Sequence, residues 1–175
     1  MRILVTGGVR SGKSAHAERL LADATTVTVV ATGAVPDGSD PEWARRIDAH
    51  RDRRSPHWQT IEATDLVKAF GQAEPGYSIL LDSLGTWLAA RMDEIQAWDR
   101  PANTWESELG AEIDRALAAL PPDIVIVTDE VGLGGVGSHP SARFADLLGD
   151  VNQRFAAACD EVHLVVAGQH LVIRT

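Results

Sequence analysis

The sequence predicts an α/β fold, a mostly parallel sheet with helices on both faces, and three observations carry that prediction. Short apolar, β-branched runs recur along the chain without clean polar alternation, which is the pattern of strands covered on both sides. Helix-compatible stretches separate most of these runs, as the crossovers of a parallel sheet require. Residues 7–14 read Gly-Gly-Val-Arg-Ser-Gly-Lys-Ser, a full match to G-x-x-x-x-G-K-[ST], set between an apolar run and a helix-compatible stretch. The fold class is therefore P-loop NTPase-like.

Taken in order, the first strand is Arg2–Thr6, followed by the glycine loop and a helix from Ala15 to Ala22. Val27–Ala31 is the second strand. Asp40 can cap a helix with Pro41 at its first position, running to about Arg54 until Pro56 stops it. Ser78–Leu81 is the next strand. Asn103, with Glu106 three residues on, can open a helix whose apolar positions Trp105, Leu109, Ile113, Ala116 and Leu120 keep helical spacing as far as Pro121-Pro122. Ile124–Thr128 follows as a strand. Ser141 then caps a helix through Phe144, Leu147, Leu148, Val151 and Phe155. Val162–Ala167 and a short Leu171–Ile173 complete the strands. Pro36–Pro41 and Asp99–Thr104 read as surface loops, and no repeat, low-complexity tract or linker divides the chain, so residues 1–175 form one domain.

The formal net charge of −9 argues against a nucleic-acid partner, because proteins that track phosphate backbones carry a basic surface. A lone cysteine, Cys159, cannot form an internal disulfide and reads as a small buried hydrophobe in a reducing compartment. There is no apolar run of membrane-spanning length and no signal-peptide pattern ahead of the first strand, so a soluble, cytoplasmic protein without stable membrane insertion is expected.

The glycine loop predicts a nucleoside triphosphate as ligand. In Gly7, Gly8, Val9, Arg10, Ser11, Gly12, Lys13 and Ser14, the glycines let backbone N–H groups converge on phosphate oxygens at a helix N-terminus. Lys13 reaches the β/γ-phosphates and the Ser14 hydroxyl can ligate Mg²⁺. A second acid at the end of a neighbouring strand completes such a metal site, and two places qualify: Asp82 after the Ser78 run, and Asp129-Glu130 after the Ile124 run. Of that pair Glu130 is taken as the metal candidate beside Asp82, whose alternative role is to cap the following helix. The glycine-rich stretch after Glu130 reads as a loop over the site.

Arg45, Arg46, His50, Arg51, Arg53 and Arg54 make a basic island in an acidic chain. On a helix Trp43, Ile47 and His50 share one face, with Arg46, Arg53 and Arg54 one turn before or after the histidine. Guanidinium groups there can hold phosphates bidentately, and nearby cations keep an imidazole neutral and nucleophilic. From spacing alone a plain half-buried or surface histidine is the favoured reading. His16, His57, His139, His163 and His170 lack both such a ring of arginines and an inward helical face, though His57 beside Trp58 stays a candidate.

The opening Ile3-Leu4-Val5-Thr6 with the P-loop and Ala17-Glu18, then Arg46-Ile47 before His50-Arg51, Arg54, Trp58, Thr60 and Glu62, closely resembles the bifunctional adenosylcobinamide kinase/adenosylcobinamide-phosphate guanylyltransferase family of cobalamin biosynthesis. Val127 to Gly132, Ala142 to Gln153 and Asp160-Glu161-Val162 continue the match in the family's order. The resemblance implies two activities: phosphorylation of the aminopropanol hydroxyl of adenosylcobinamide by ATP or GTP, then transfer of GMP from GTP to that phosphate through a guanylyl-histidine. It places the covalent histidine on His50. It places nucleotide contacts on Gly7–Ser14, Ala31, Thr32, Gly33, Arg51, Asp52, Arg53, Arg54, Glu62 and Asp82. It further implies Mg²⁺ and a homotrimer. Asp82 and Asp129 stand where the family carries Glu and Asn, and the loop Gly132–Pro140 departs from the family pattern. The corrinoid opening is expected near that loop and the Trp87–Trp105 region.

Two other readings compete. A single-activity P-loop kinase would need Lys13 and Ser14 but not His50. A GTP-binding switch would use Asp129-Glu130-Val131-Gly132 as its D-x-x-G, yet no [NT]-K-x-D guanine-reading motif exists in the chain.

Overall fold

The computed structural model describes residues 1–33, 41–132 and 139–175. Strand and helix alternate: β1 (Arg2–Gly7), α1 (Lys13–Leu20), β2 (Val27–Ala31), α2 (Pro41–Arg53), β3 (Gln59–Glu62), α3 (Leu66–Gln72), β4 (Ser78–Asp82) and α4 (Leu84–Glu94). After a 3₁₀ turn (Ala102–Thr104) come α5 (Glu106–Ala118), β5 (Ile124–Asp129), α6 (His139–Ala158), β6 (Glu161–Val166) and β7 (Gln169–Arg174). The strands form one seven-stranded sheet in the order β3-β2-β4-β5-β1-β6-β7. All neighbours pair parallel except β7, which returns antiparallel on β6.

The apolar strand runs are covered on both sides, and alternate residues supply two separate cores. Leu4, Ile79, Leu81, Ile124 and Ile126 face a large cluster completed by α3, α4, α5 and α6, including Trp87, Leu88, Trp105, Leu109 and Phe155. Ile3, Val5, Val27, Val29, Leu80, Val125 and Val127 face the other way, onto Ala17 and Leu21 of α1 and its end. The expected doubly covered sheet follows from this alternation.

Register then sets the site. Gly7 lies opposite Asp129, Ala31 opposite both Asp82 and Glu62, so the carboxyl ends of β1, β5, β4, β2 and β3 bring one glycine and three acids to a common edge. That edge is where parallel α/β sheets bind ligands.

Some expected elements shift. The helix expected to start at Asn103 opens at Glu106 instead, with Trp105 at the N-cap and no side-chain cap, because Pro101 and Ala102 carbonyls first close a 3₁₀ turn. Ser141 is not a cap, since α6 is already helical at His139. Asp82 is not a cap either: Ser83 takes that place before α4, exchanging bonds with Thr86 in a capping box. β3 and α3 were not expected, and α4 entered only as the helix that Asp82 was to cap. Trp87 and Trp105 are core residues rather than rim residues; the Trp87 indole N–H donates to the Thr64 carbonyl at 2.8 Å. The proposed cap Asp40, the loop from Pro36 and most of the loop after Gly132 lie outside the described residues.

Two features lie behind the glycine loop. Gly168, in the β6–β7 turn, donates its N–H to the Ser11 carbonyl at 2.8 Å. Beside it His16 of α1 and His163 of β6 are buried, at 4% and 3% exposure, with His16 Nε2 2.9 Å from His163 Nδ1. His163 Nε2 lies 2.8 Å from Glu161 Oε2, and His170 stacks on His16 at 4.2 Å between ring centroids. Neutral rings satisfy this chain: His163 donates to the carboxylate and accepts from His16.

Candidate functional site

The glycine loop connects β1 to α1; the N-cap is Gly12, so that beyond the Lys13 N–H, which reaches Ser11 Oγ at 3.4 Å, the Ser14 and Ala15 N–H groups have no side-chain cap. Those donors remain available to an anion. Gly12 has φ +95°, a conformation closed to ordinary L-residues, and a Cβ there would lie 3.3 Å from Gly168 Cα. At Gly7 a Cβ would come within 2.4 Å of the Val165 carbonyl oxygen. Gly8 faces open space and carries no such steric demand.

Lys13 and Ser14 open onto a pocket that Ala31, Gly33, His50, Arg54, Glu62, Asp82 and Asp129 also line. Lys13 Nζ pairs with Asp129 at 2.7 Å and donates to the Gly8 carbonyl at 3.2 Å, so the ammonium is held at the loop mouth. Asn152 of α6 fixes the end of β5, donating to the Asp129 carbonyl at 3.0 Å while accepting from Thr128 at 2.6 Å. The Asn152-Gln153 block thus acts on the site through the backbone of its acid.

His50 sits in the last turn of α2. Its side chain is 26% exposed, yet Nδ1 is fully buried, 3.3 Å from Asp82 Oδ2 and 3.9 Å from Glu18 Oε1. Arg54 is similarly enclosed, donating to Asp82 at 2.7 Å with its Nε 3.7 Å from Glu18. Burial raises the Asp82 carboxyl, but the bond and charge from His50, with the charges of Arg54 and Lys13, outweigh it and hold the group below the usual carboxylate range. Asp82 is therefore ionised at neutral pH.

The sequence-expected residues do not all converge. Lys13, Ser14, Ala31, Gly33, His50, Arg51, Arg54, Glu62 and Asp82 share the pocket. Thr32 lies behind it: its hydroxyl donates to the Ser83 carbonyl at 2.7 Å and ties β2 to the start of α4. Arg53 turns away to Glu18, and Asp52 is exposed outside the pocket lining. Val9 and Arg10 project into solvent at the loop tip. Glu130 folds back to accept from the Gly132 N–H at 3.0 Å, whereas Asp129 faces the pocket. Ion pairing between distant elements has no local sequence signal, which is why Glu18 was not among the expected site residues and Glu130 was taken in place of Asp129. The Trp43 and Arg46 side chains lie outside the described residues.

For Mg²⁺ the donor set fits by chemistry: the Ser14 hydroxyl and the Asp129 and Asp82 carboxylates are hard oxygens around one pocket. No group of three or more metal-ligating side chains converges among the described residues.

Comparison with known proteins adds an independent line. The family model for cobinamide kinase / cobinamide phosphate guanyltransferase matches residues 3–173. The bifunctional adenosylcobalamin biosynthesis protein CobU of Salmonella typhimurium is 42% identical, covering 96% of this chain and 97% of that protein. CobU of Escherichia coli is 40% identical over 96% and 97%, and CobP of Pseudomonas aeruginosa 38% over 96% and 94%. Among solved structures, an ATPase from the type III secretion system of pathogenic bacteria superposes with a TM-score of 0.53 at 16% identity, covering 93% of this chain and 50% of that one. That likeness concerns the fold alone. Near-complete coverage by the family model and by three relatives establishes that this chain belongs to the cobinamide kinase / cobinamide phosphate guanyltransferase family.

Proposed function

We propose that the chain phosphorylates the aminopropanol hydroxyl of adenosylcobinamide with ATP or GTP, then transfers GMP from GTP to that phosphate. The observation that carries this reading is that one pocket holds both Lys13 of the phosphate loop and a histidine whose Nδ1 is fixed against a carboxylate. A kinase alone has use for the first and none for the second.

In the phosphoryl step the corrinoid hydroxyl oxygen attacks the γ-phosphorus, the bond to the β-bridging oxygen breaks, and the nucleoside diphosphate leaves. The protein contributes position and charge: the uncapped N–H groups of α1, Lys13 held by Asp129, and Arg54. Mg²⁺, held by Ser14 with Asp129 and Asp82, would neutralise phosphate charge when bound. In the guanylyl step a nitrogen of His50 attacks the α-phosphorus and pyrophosphate leaves. An oxygen of the corrinoid phosphate then attacks the same phosphorus, the P–N bond breaks, and neutral imidazole returns. Arg51, on Glu62 at 3.4 Å, stands at the outer rim, where it can meet the nucleotide.

The same reading has the enzyme work in the cytoplasm, where nucleoside triphosphates are supplied; among the described residues no helix is long and apolar enough to cross a membrane. Self-association belongs to the same reading: Val166, Leu171 and Ile173 are 59%, 61% and 56% exposed along the β6–β7 edge, an apolar surface that a homotrimer could cover. Light scattering on the purified protein tests that mass.

The decisive experiment is incubation with GTP radiolabelled at the α-phosphorus, without corrinoid, beside His50→Ala. Label that survives denaturation in acid-labile, alkali-stable form, and is lost in the variant, supports the transferase. An unlabelled but GTP-binding wild type would reduce the protein to a kinase.

A further inference from the structure

We infer that Glu18 is a positioning residue for guanylyl transfer: with Asp82 it clasps the Nδ1 edge of His50, so that Nε2 is the nitrogen that attacks the α-phosphorus. This rests on the transferase reading above and adds to it a residue and an atom.

The need for such a clasp comes from how α2 is held. Among the described residues, α2 supplies no side chain to either buried apolar cluster. Polar contacts hold its C-terminal end: Arg51 pairs with Glu62, and the remaining contacts converge on two further carboxylates. Glu18, one turn beyond Ser14 on α1, is only 10% exposed by side chain. Its Oε2 accepts from Arg53 Nε at 3.0 Å, its Oε1 lies 3.4 Å from Arg53 Nη2, and the same Oε1 stands 3.7 Å from Arg54 Nε and 3.9 Å from His50 Nδ1. Asp82 closes the other side, 2.7 Å from Arg54 and 3.3 Å from His50 Nδ1. Two anions thus face three groups at and just beyond the C-terminal end of α2: Arg53 hydrogen-bonds to Glu18 and Arg54 to Asp82, while the buried His50 Nδ1 lies beside both carboxylates without a hydrogen bond of its own.

The ring orientation follows. Nδ1 has no exposed surface although the side chain as a whole is 26% exposed, so the accessible edge of the imidazole carries Nε2 and faces the pocket. A proton on Nδ1, directed at the carboxylates, leaves the Nε2 lone pair free. On attack the Nε2–P bond forms, the bond from the α-phosphorus to the bridging oxygen breaks, and pyrophosphate departs with that electron pair. Nδ1 keeps its proton, and the positive charge gained by the ring is met by Asp82 and Glu18. When the corrinoid phosphate takes the guanylyl group, the P–N electrons return to Nε2 and the ring is neutral again. Glu18 touches no substrate atom; it acts through His50 and through the arginines that seat the helix.

The test compares wild type, Glu18→Gln and Glu18→Asp in three measurements on the full chain. Covalent labelling by α-labelled GTP is followed as a single turnover over a range of GTP concentrations. Phosphorylation of adenosylcobinamide by ATP is followed in parallel. Phosphorus–nitrogen connectivity in the labelled wild type is read by NMR with nitrogen-labelled histidine. Expected are a Nε2 linkage, a maximal labelling rate in Glu18→Gln lower by about tenfold or more from loss of alignment, little change in half-saturating GTP, and partial recovery in Glu18→Asp. The kinase rate should fall much less than the labelling rate. A Nδ1 linkage, wild-type labelling in Glu18→Gln, or parallel loss of both activities would each overturn the role given to Glu18. A wild type that binds GTP but never labels would instead sink the transferase reading itself.

Discussion

The buried histidine pair behind the phosphate loop makes stability depend on pH, and His16 is the residue that sets the size of the effect. Burial first, then the nearby His170, His163 and Arg19, lower its pKa from the ordinary 6.5 to about 4. The folded state therefore binds this proton less readily than the unfolded chain, so the stability contribution is complete above 6.5 and is lost as pH falls towards 4. At about 1.4 kcal/mol per pH unit, the gap between 6.5 and about 4 amounts to about 3 kcal/mol, of which about 2 kcal/mol is gone by about pH 5. With the side chain only 4% exposed, solvent screening does little to reduce that figure. Replacing His16 by Gln keeps a donor towards His163 and removes the titration. Urea unfolding of both proteins at about pH 8 and about pH 5 should then show wild type losing about 2 kcal/mol more than His16→Gln across the interval. Equal losses in the two proteins would refute the assignment.

Two further substitutions test the scaffold of the site. Gly12→Ala places a Cβ at φ +95° and against Gly168, so a loss of about 1–3 kcal/mol in denaturant melts, together with weakened nucleotide binding by titration calorimetry, is expected. Asn152→Ala leaves the Asp129 carbonyl without its donor and the Thr128 hydroxyl without its acceptor; scanning calorimetry should register about 1–3 kcal/mol of destabilisation.

The parts of the fold that were legible are those whose signal is local. β1, β4 and β5 are uninterrupted apolar runs because both faces are buried, and the phosphate loop is a contiguous motif. β3 is an edge strand of sequence Gln-Thr-Ile-Glu with mostly exposed side chains, so it carries no apolar pattern at all. α4 was readable in principle: Ser83 and Thr86 form its capping box, and Leu84, Trp87, Leu88 and Met92 hold helical spacing. In the site, the register of His50 emerged from its motif, but its partners did not. Glu18 is thirty-two positions earlier and Asp82 thirty-two later, and only the packing of α1, α2 and β4 brings them within reach. The choice between Asp129 and Glu130 likewise depended on which of two adjacent side chains the strand's alternation turns towards the pocket.

The bond from Gly168 to Ser11 also bears on how the protein comes into being. β1 is made before β5 and β6, between which it lies, and its phosphate loop rests on a turn that comes far later in the chain. A growing chain holds the glycine motif long before Gly168, which braces it, emerges. Competence to grip a nucleotide therefore follows the long-range pairing that makes such topologies slow to fold.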